Sequence, residues 1–116
     1  MEVTEKTYSI LMTDDKGLHV RPIARLVEIG QALSVFGITL SIRDPKGNTE
    51  SFRSITRIME NIWVKRNQAL IVILSGPSVE VERVDKNAIR GANMPFDKYL
   101  DEHLNDHINV DAPMRY

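Results

Sequence analysis

Apolar residues in the first two thirds of the chain recur with the period of a strand or of a helix, in short segments separated by turn residues. Residues 7–13 alternate between apolar and polar side chains, which predicts a strand, and residues 38–43 predict a second strand by the same period. Residues 44–48 contain proline, glycine and asparagine and predict a turn into a short returning strand over residues 50–52. Residues 68–74 are almost continuously apolar, which predicts a central strand covered on part of both faces.

Two segments between these strands carry the helical period instead. Pro22 suits the first turn of a helix, where its missing N–H costs nothing, and this helix is predicted to run to about Leu33. Ser54 is a good N-cap for a second, shorter helix. The apolar positions at helical spacing are Ile23, Leu26, Val27 and Gly30 in the first helix, and Ile55, Ile58, Met59 and Ile62 in the second.

The chain beyond Pro77 has a weaker pattern. Valines and glutamates are interspersed over residues 79–84, which favours a strand or ribbon over a helix, and the polar residues 85–93 predict a loop. Pro95 is predicted to open a helix with one apolar face that continues to about Ile108. Residues 109–116 show no clear pattern and are expected to form a tail.

The order of these elements predicts an α+β fold, in which a four-stranded antiparallel sheet is covered on one face by helices and followed by an atypical C-terminal extension. The 116 residues are enough for one domain with a modest core. We therefore expect a single domain over residues 1–116, with its core at about residues 5–76 and a divergent segment over residues 77–116.

Composition excludes several classes of function. The net charge of −1 argues against a nucleic-acid-binding protein, because such proteins usually carry a strong basic excess. The absence of cysteine excludes disulfides, thiolate metal sites and thiol nucleophiles. The first residues lack the basic start and apolar run of a signal peptide, and no apolar run reaches the length of a membrane span. We therefore expect a cytoplasmic protein without membrane insertion.

Residues 17–22, Gly-Leu-His-Val-Arg-Pro, place a histidine and an arginine at the predicted start of the first helix. The free amide N–H groups and the positive end of the helix dipole lie there, beside His19 and Arg21. A phosphate group would meet amide donors, the dipole and a guanidinium together, and a neutral imidazole is nucleophilic near pH 7. These residues favour phosphoryl chemistry on His19 over an ordinary loop histidine.

Residues 16–76 resemble the HPr family, the histidine phosphocarriers of the bacterial phosphoenolpyruvate:sugar phosphotransferase system. Two motifs carry the likeness: Gly-Leu-His-Val-Arg-Pro-Ile-Ala-Arg-Leu-Val at residues 17–27, and Ser-Ile-Thr-Arg-Ile-Met at residues 54–59. The resemblance implies an open-faced β-sandwich. It also implies a carrier that is a substrate of other enzymes, without turnover of its own, and that needs no cofactor.

The resemblance also implies roles for individual residues. His19 matches the histidine that accepts a phosphoryl group from Enzyme I, which takes it from phosphoenolpyruvate, and that passes it to an EIIA-type domain. Arg21 matches the arginine that contacts the phosphoryl group, and Val20 and Pro22 stand at the helix start that would bind it. Ser54 matches the serine that HPr kinase/phosphorylase modifies in some bacteria, although a plain N-cap explains it as well.

Partner docking is expected along the second helix and at the arginines that flank the two helix starts. If the two helix starts lie close together, four arginines would form a basic patch for acidic partners: Arg21, Arg25, Arg53 and Arg57. Ordinary solvated arginines are the alternative. Ile55 and Met59 match the family's apolar docking patch. The candidate docking residues are Arg25, Arg53, Ile55, Met59 and Trp63.

Three features depart from the family pattern. Asn-Ile-Trp at residues 61–63 stands where members usually have a Leu-Gly pair and an aliphatic residue, and the turn at residues 44–48 is a few residues longer than usual. The family's short closing helix is not evident after Gly76. Residues 96–108 are interpreted as its replacement, after an insertion over residues 78–94, so that partner choice is expected to differ from that of typical members.

Other functions remain open. A regulatory effector that acts through Ser54 and surface docking would not need His19, and a small enzyme with a histidine base lacks a second catalytic group in the sequence. His103 and His107 are spaced four residues apart and could bind a divalent metal ion. A solvated acidic helix end is the favoured interpretation of that segment, so we expect no metal site.

Overall fold

The structure, a computed structural model, describes residues 2–52, 54–88, 93–104 and 108–109. These residues contain five strands and four helices. In chain order they are β1 (Val3–Met12), α1 (Val20–Ser34), β2 (Thr39–Arg43), β3 (Thr49–Ser51), α2 (Ile55–Asn61), β4 (Ala69–Pro77), α3 (Ser78–Asn87), α4 (Phe96–Leu104) and β5 (Ile108–Asn109). All strand pairs are antiparallel, in the order β3-β2-β4-β1-β5. The predicted α+β class and antiparallel sheet are confirmed, with the two-residue β5 added at one edge.

β4 occupies the middle of the sheet, which explains its nearly continuous apolar run. Its residue Val72 pairs with Tyr8 of β1 on one side and with Ile42 of β2 on the other. Val72, Ile73 and Leu74 are all buried although successive side chains point to opposite faces. The expectation that this strand is covered on part of both faces is therefore confirmed.

The main core lies between the helices and one face of the sheet. Alternate residues of the long strands belong to it, together with the apolar stripe of α1. The strand members are Tyr8, Ile10, Met12, Leu40, Ile42, Leu70, Val72 and Leu74, and α1 contributes Ile23, Leu26, Ile29 and Leu33. Burial of each large apolar side chain is worth about 1.5–3 kcal/mol, so this packing holds α1 firmly against the sheet. None of the described helices is long and apolar enough to cross a membrane.

The strand or ribbon predicted over residues 79–84 is wrong, because these residues lie within the helix α3. Valine alternating with glutamate fits a strand locally, but the face of α3 that packs on β1 and β4 decides the conformation. Val79 lies off that face and is 78% exposed. The fully buried positions at helical spacing are Val81, Val84 and Ala88.

Two related expectations about this segment are also corrected. The sequence showed no helix directly after Gly76, but α3 directly follows β4, so residues 96–108 do not replace an absent helix. The loop predicted over residues 85–93 begins later than predicted, because residues 85–87 still belong to α3. The hydroxyl of Tyr8 donates a 2.6 Å hydrogen bond to the carboxylate of Asp85, which fixes the last turn of α3 to β1.

α4 opens after Pro95 as predicted, and its first residue, Phe96, is fully buried with its ring 5.0 Å from that of Tyr8. The helix ends at Leu104, however, and not at about Ile108. Ile108 pairs with Met12 in β5, and Asn109 also belongs to that strand and not to a tail. The remaining residues of the predicted tail lie outside the described part of the chain.

The turn predicted over residues 44–48 is confirmed and connects β2 to β3. The backbone N–H of Asp44 donates to the carbonyl of Asn48 at 3.0 Å, and that of Gly47 donates to the carbonyl of Asp44 at 3.0 Å. Gly47 has a φ of 92°, which a residue with a side chain rarely adopts. Glycine at this position therefore allows the hairpin to close.

Candidate functional site

The loop between β1 and α1 is held against the segment that follows α2. The backbone N–H of Leu18 donates to the carbonyl of Val64 at 2.8 Å, and that of Gly17 donates to the carbonyl of Asp14 at 2.9 Å. Gly17 has a φ of 64°, and a Cβ at this position would lie 2.2 Å from the carbonyl oxygen of Val64. Only glycine fits this close approach, which sets the position of the next residues, Leu18 and His19.

His19 is the N-cap residue of α1, with an extended backbone (φ −137°, ψ −173°), and its carbonyl accepts the first helical hydrogen bond from Ile23 at 3.1 Å. The predicted helix start at Pro22 is thus two residues late, because Val20 is the first helical residue and Pro22 the third. Pro22 has no N–H to offer an anion. The amide donors of the first turn are therefore those of Val20 and Arg21.

The imidazole of His19 is paired with the carboxylate of Asp14. Nε2 of His19 lies 2.9 Å from Oδ2 of Asp14, and the two side chains are only 19% and 17% exposed. The other carboxylate oxygen, Oδ1, accepts a 2.9 Å hydrogen bond from the backbone N–H of Lys16. Both oxygens of Asp14 are thereby placed by the turn that ends at Gly17.

The sequence pattern did not single out Asp14 as a candidate functional residue. The only signal available was a carboxylate five positions before the histidine and three before a glycine that permits a tight turn. A pairing of this kind depends on how the loop folds back, because residues in a loop have no fixed period. Knowledge of the Gly17 conformation was needed to find it.

The arginines expected to form a basic patch are exposed where the structure describes them. Arg21 and Arg25 lie on the first two turns of α1, Arg57 lies on α2, and these two helices contact each other. Among the described residues, none of these three guanidinium groups takes part in an ion pair. Arg53 lies outside the described residues, so the basic patch stays a prediction.

Ser54 is the N-cap of α2, as predicted, and its Oγ accepts a 3.3 Å hydrogen bond from the backbone N–H of Arg57. Of the apolar docking candidates, Ile55 is partly buried against the core, whereas Met59 is 46% and Trp63 65% exposed. The exposed positions are therefore available to a partner. Regulation at Ser54 and docking at these residues stay predictions.

His103, the described member of the histidine pair on the last predicted helix, is occupied within α4. Its Nδ1 lies 2.9 Å from the carbonyl oxygen of Tyr99, and the two rings are 4.0 Å apart. His107 lies outside the described residues. In the part of the chain that the structure describes, no three histidine or carboxylate side chains come together as a metal-binding group.

The N-terminal end of α1 and the loop before it thus combine an imidazole fixed by a carboxylate, two amide donors and an exposed guanidinium. Such a set can bind an anion next to a nucleophilic nitrogen without any metal ligand. The residues concerned are Asp14, His19, Val20 and Arg21.

A scan against protein-family models returned no match to this chain, and a search of the curated proteins returned no significant match.

Proposed function

We propose that this protein is a histidine phosphocarrier, in which His19 accepts a phosphoryl group from one protein and donates it to another. The observation that supports this most is the place of His19 at the N-terminus of a 15-residue helix. The helix dipole and the amides of Val20 and Arg21 favour a negatively charged group bound beside the imidazole. The guanidinium of Arg21 adds a donor suited to phosphate oxygens.

The chemistry demands little beyond these groups. Phosphoryl transfer depends mainly on positioning and on stabilising charge over the phosphoryl oxygens. A lone pair of the imidazole forms the N–P bond while the bond from phosphorus to the donor breaks, and the electron pair leaves with the donor. The reverse exchange passes the group to the next nucleophile, so the protein is a carrier and not an enzyme.

The resemblance of residues 16–76 to the HPr family supports specific partners. Enzyme I would supply the phosphoryl group, an EIIA-type domain would receive it, and HPr kinase/phosphorylase is the candidate enzyme for Ser54. The exposed side chains of Met59 and Trp63 and the arginines of α1 would contact these partners.

The test is incubation of the protein with Enzyme I and phosphoenolpyruvate, followed by intact-mass spectrometry. The wild type is expected to gain one acid-labile phosphoryl group, and His19→Ala to gain none. His103→Ala is the matched control, because the ring of His103 is bound within its own helix, and it is expected to behave as the wild type. Absence of the group on the wild type with the cognate Enzyme I would refute the carrier function.

A further inference from the structure

We propose that Asp14 is a positioning residue for phosphoryl transfer at His19, an inference that rests on the proposed function. Its carboxylate holds the proton of the neutral imidazole on Nε2, so that Nδ1 is the nitrogen that accepts the phosphoryl group. The same carboxylate then balances the positive charge that the ring gains on phosphorylation.

Two backbone hydrogen bonds that do not involve His19 also hold Asp14 in place. Lys16 donates its backbone N–H to Oδ1 of Asp14, and Gly17 donates its backbone N–H to the carbonyl of the same residue, both at 2.9 Å. These bonds aim Oδ2 at the imidazole before any partner binds. The neighbouring Asp15 differs, because it is 84% exposed at its side chain and pairs with Arg66 on the surface.

The protonation of the ring follows from the chemistry of the pair. A carboxylate is only an acceptor, so the nitrogen 2.9 Å from Oδ2 of Asp14 must carry the hydrogen. A neutral imidazole with its proton on Nε2 has its lone pair on Nδ1. The second ring nitrogen of His19 is therefore the nucleophile, in the same way that a carboxylate selects the tautomer of a catalytic histidine.

Atoms and charges balance in this step without any further proton carrier. The lone pair of Nδ1 forms the N–P bond as the bond between phosphorus and the donor breaks, and the proton stays on Nε2. The ring, now bonded at both nitrogens, is positive and faces the negative carboxylate of Asp14. Because both side chains are more than four fifths buried, this attraction is weakly screened by solvent.

Removal of the carboxylate is expected to have three effects. The ring would populate both tautomers, phosphorylation would slow by about tenfold to a hundredfold, and the phosphorylated form would hydrolyse faster. This range corresponds to the loss of one hydrogen bond to a charged group. Asp14→Asn keeps the shape of the side chain without the charge, and Asp14→Ala removes both.

The first experiment needs no phosphorylation. ¹⁵N NMR of the His19 ring, above the pH at which the imidazole protonates, is expected to show a single Nε2–H tautomer in the wild type and in the control Asp15→Asn. Asp14→Ala is expected to show a mixture of tautomers while its amide spectrum stays that of a folded protein. An Nδ1–H tautomer in the wild type, or an unchanged tautomer in both Asp14→Ala and Asp14→Asn, would overturn the proposal.

The second experiment measures the rate of phosphorylation by Enzyme I, the nitrogen that carries the group and the lifetime of the product in the same four proteins. If the Asp14 variants are phosphorylated on Nδ1 at the wild-type rate and the product has the wild-type lifetime, the proposed role of Asp14 is refuted and the carrier function stands. If the wild type is never phosphorylated, the carrier function is refuted, and the tautomer measurement still tests the Asp14–His19 pair.

Discussion

Asp44 and Trp63 are joined by a 3.2 Å hydrogen bond from the backbone N–H of Trp63 to Oδ2 of the Asp44 carboxylate. The same buried carboxylate accepts the backbone N–H groups of Lys46 and Asn48 and the side-chain amide of Asn48. Burial raises the pKa of Asp44, but the hydrogen bonds from Asn48, Trp63 and Lys46 outweigh it, so the pKa lies below its ordinary value of 3.8. The hairpin thereby fixes the backbone that carries the exposed indole.

Asp44→Asn is expected to lower the free energy of unfolding by about 2 kcal/mol at pH 7, because an amide nitrogen would then face N–H donors in a buried site. A carboxyl whose pKa is lowered by folding stabilises the protein above its unfolded pKa of 3.8, and that contribution is lost as the pH falls through the folded pKa. The difference in free energy of unfolding between the wild type and Asp44→Asn should therefore become smaller below about pH 4.

Urea denaturation at pH 7 and at pH 3 measures this free-energy difference, with Asp15→Asn as a control. An equal difference at both pH values would contradict the explanation.

Gly17→Ala is expected to destabilise the protein by more than about 2 kcal/mol. Alanine would have to adopt a φ of 64° and would place its Cβ against the carbonyl of Val64. Gly47→Ala is the matched control, because its φ is 92° but no atom lies within 4 Å of the added Cβ, so only the backbone cost of about 1 kcal/mol applies. Thermal unfolding of both variants tests the difference, and equal effects would show that the contact with Val64 is unimportant.

Phe96→Ala is expected to cost about 3–5 kcal/mol, because it empties a fully buried site beside the ring of Tyr8. A cooperative loss of the whole fold, seen by urea denaturation followed at several probes, would show that α4 is part of the main core. Val79→Ala is the control, because it removes an exposed side chain from α3, and it should change the free energy of unfolding by less than about 0.5 kcal/mol. Loss of α4 alone in the Phe96 variant, with the sheet still folded, would contradict this expectation.

Arg21→Ala is expected to slow phosphorylation by Enzyme I about tenfold to a hundredfold, as expected for removal of one charged donor to the phosphoryl group. Its stability should change by less than about 0.5 kcal/mol, because the side chain is exposed. Arg66→Ala removes another exposed arginine, which pairs with Asp15, and serves as the control. Equal phosphorylation rates in the two variants would exclude a specific role for Arg21.

Local signals in the sequence were sufficient for the β2–β3 hairpin and for α2. The turn at residues 44–48 closes through its own backbone bonds, and Ser54 caps its own helix, so the residues that decide the structure are neighbours in the chain. His19 and Arg21 could be assigned to a helix start for the same reason. In these segments the sequence pattern and the tertiary packing agree.

Other features depend on residues far apart in the chain, and the pattern could not supply them. The helix over residues 78–87 forms because Val81 and Val84 fit the surface of β1 and β4, although valine alternation alone favours a strand. β1 begins at Val3, earlier than predicted, because it pairs with Pro77 at the far end of β4. The Asp14–His19 pair likewise depends on a loop held by Val64.

The strand order has a consequence for synthesis of the chain on the ribosome. β1 is made first, yet its hydrogen-bonded partners are β4 and β5, which are made much later. During translation β1 therefore remains unpaired, with the apolar side chains of Ile10 and Met12 and its backbone amides exposed, until residues 69–77 emerge. A circular permutant that places β1 after β4 would shorten the time for which β1 is unpaired. It should aggregate less in cell-free translation than the protein with the native order.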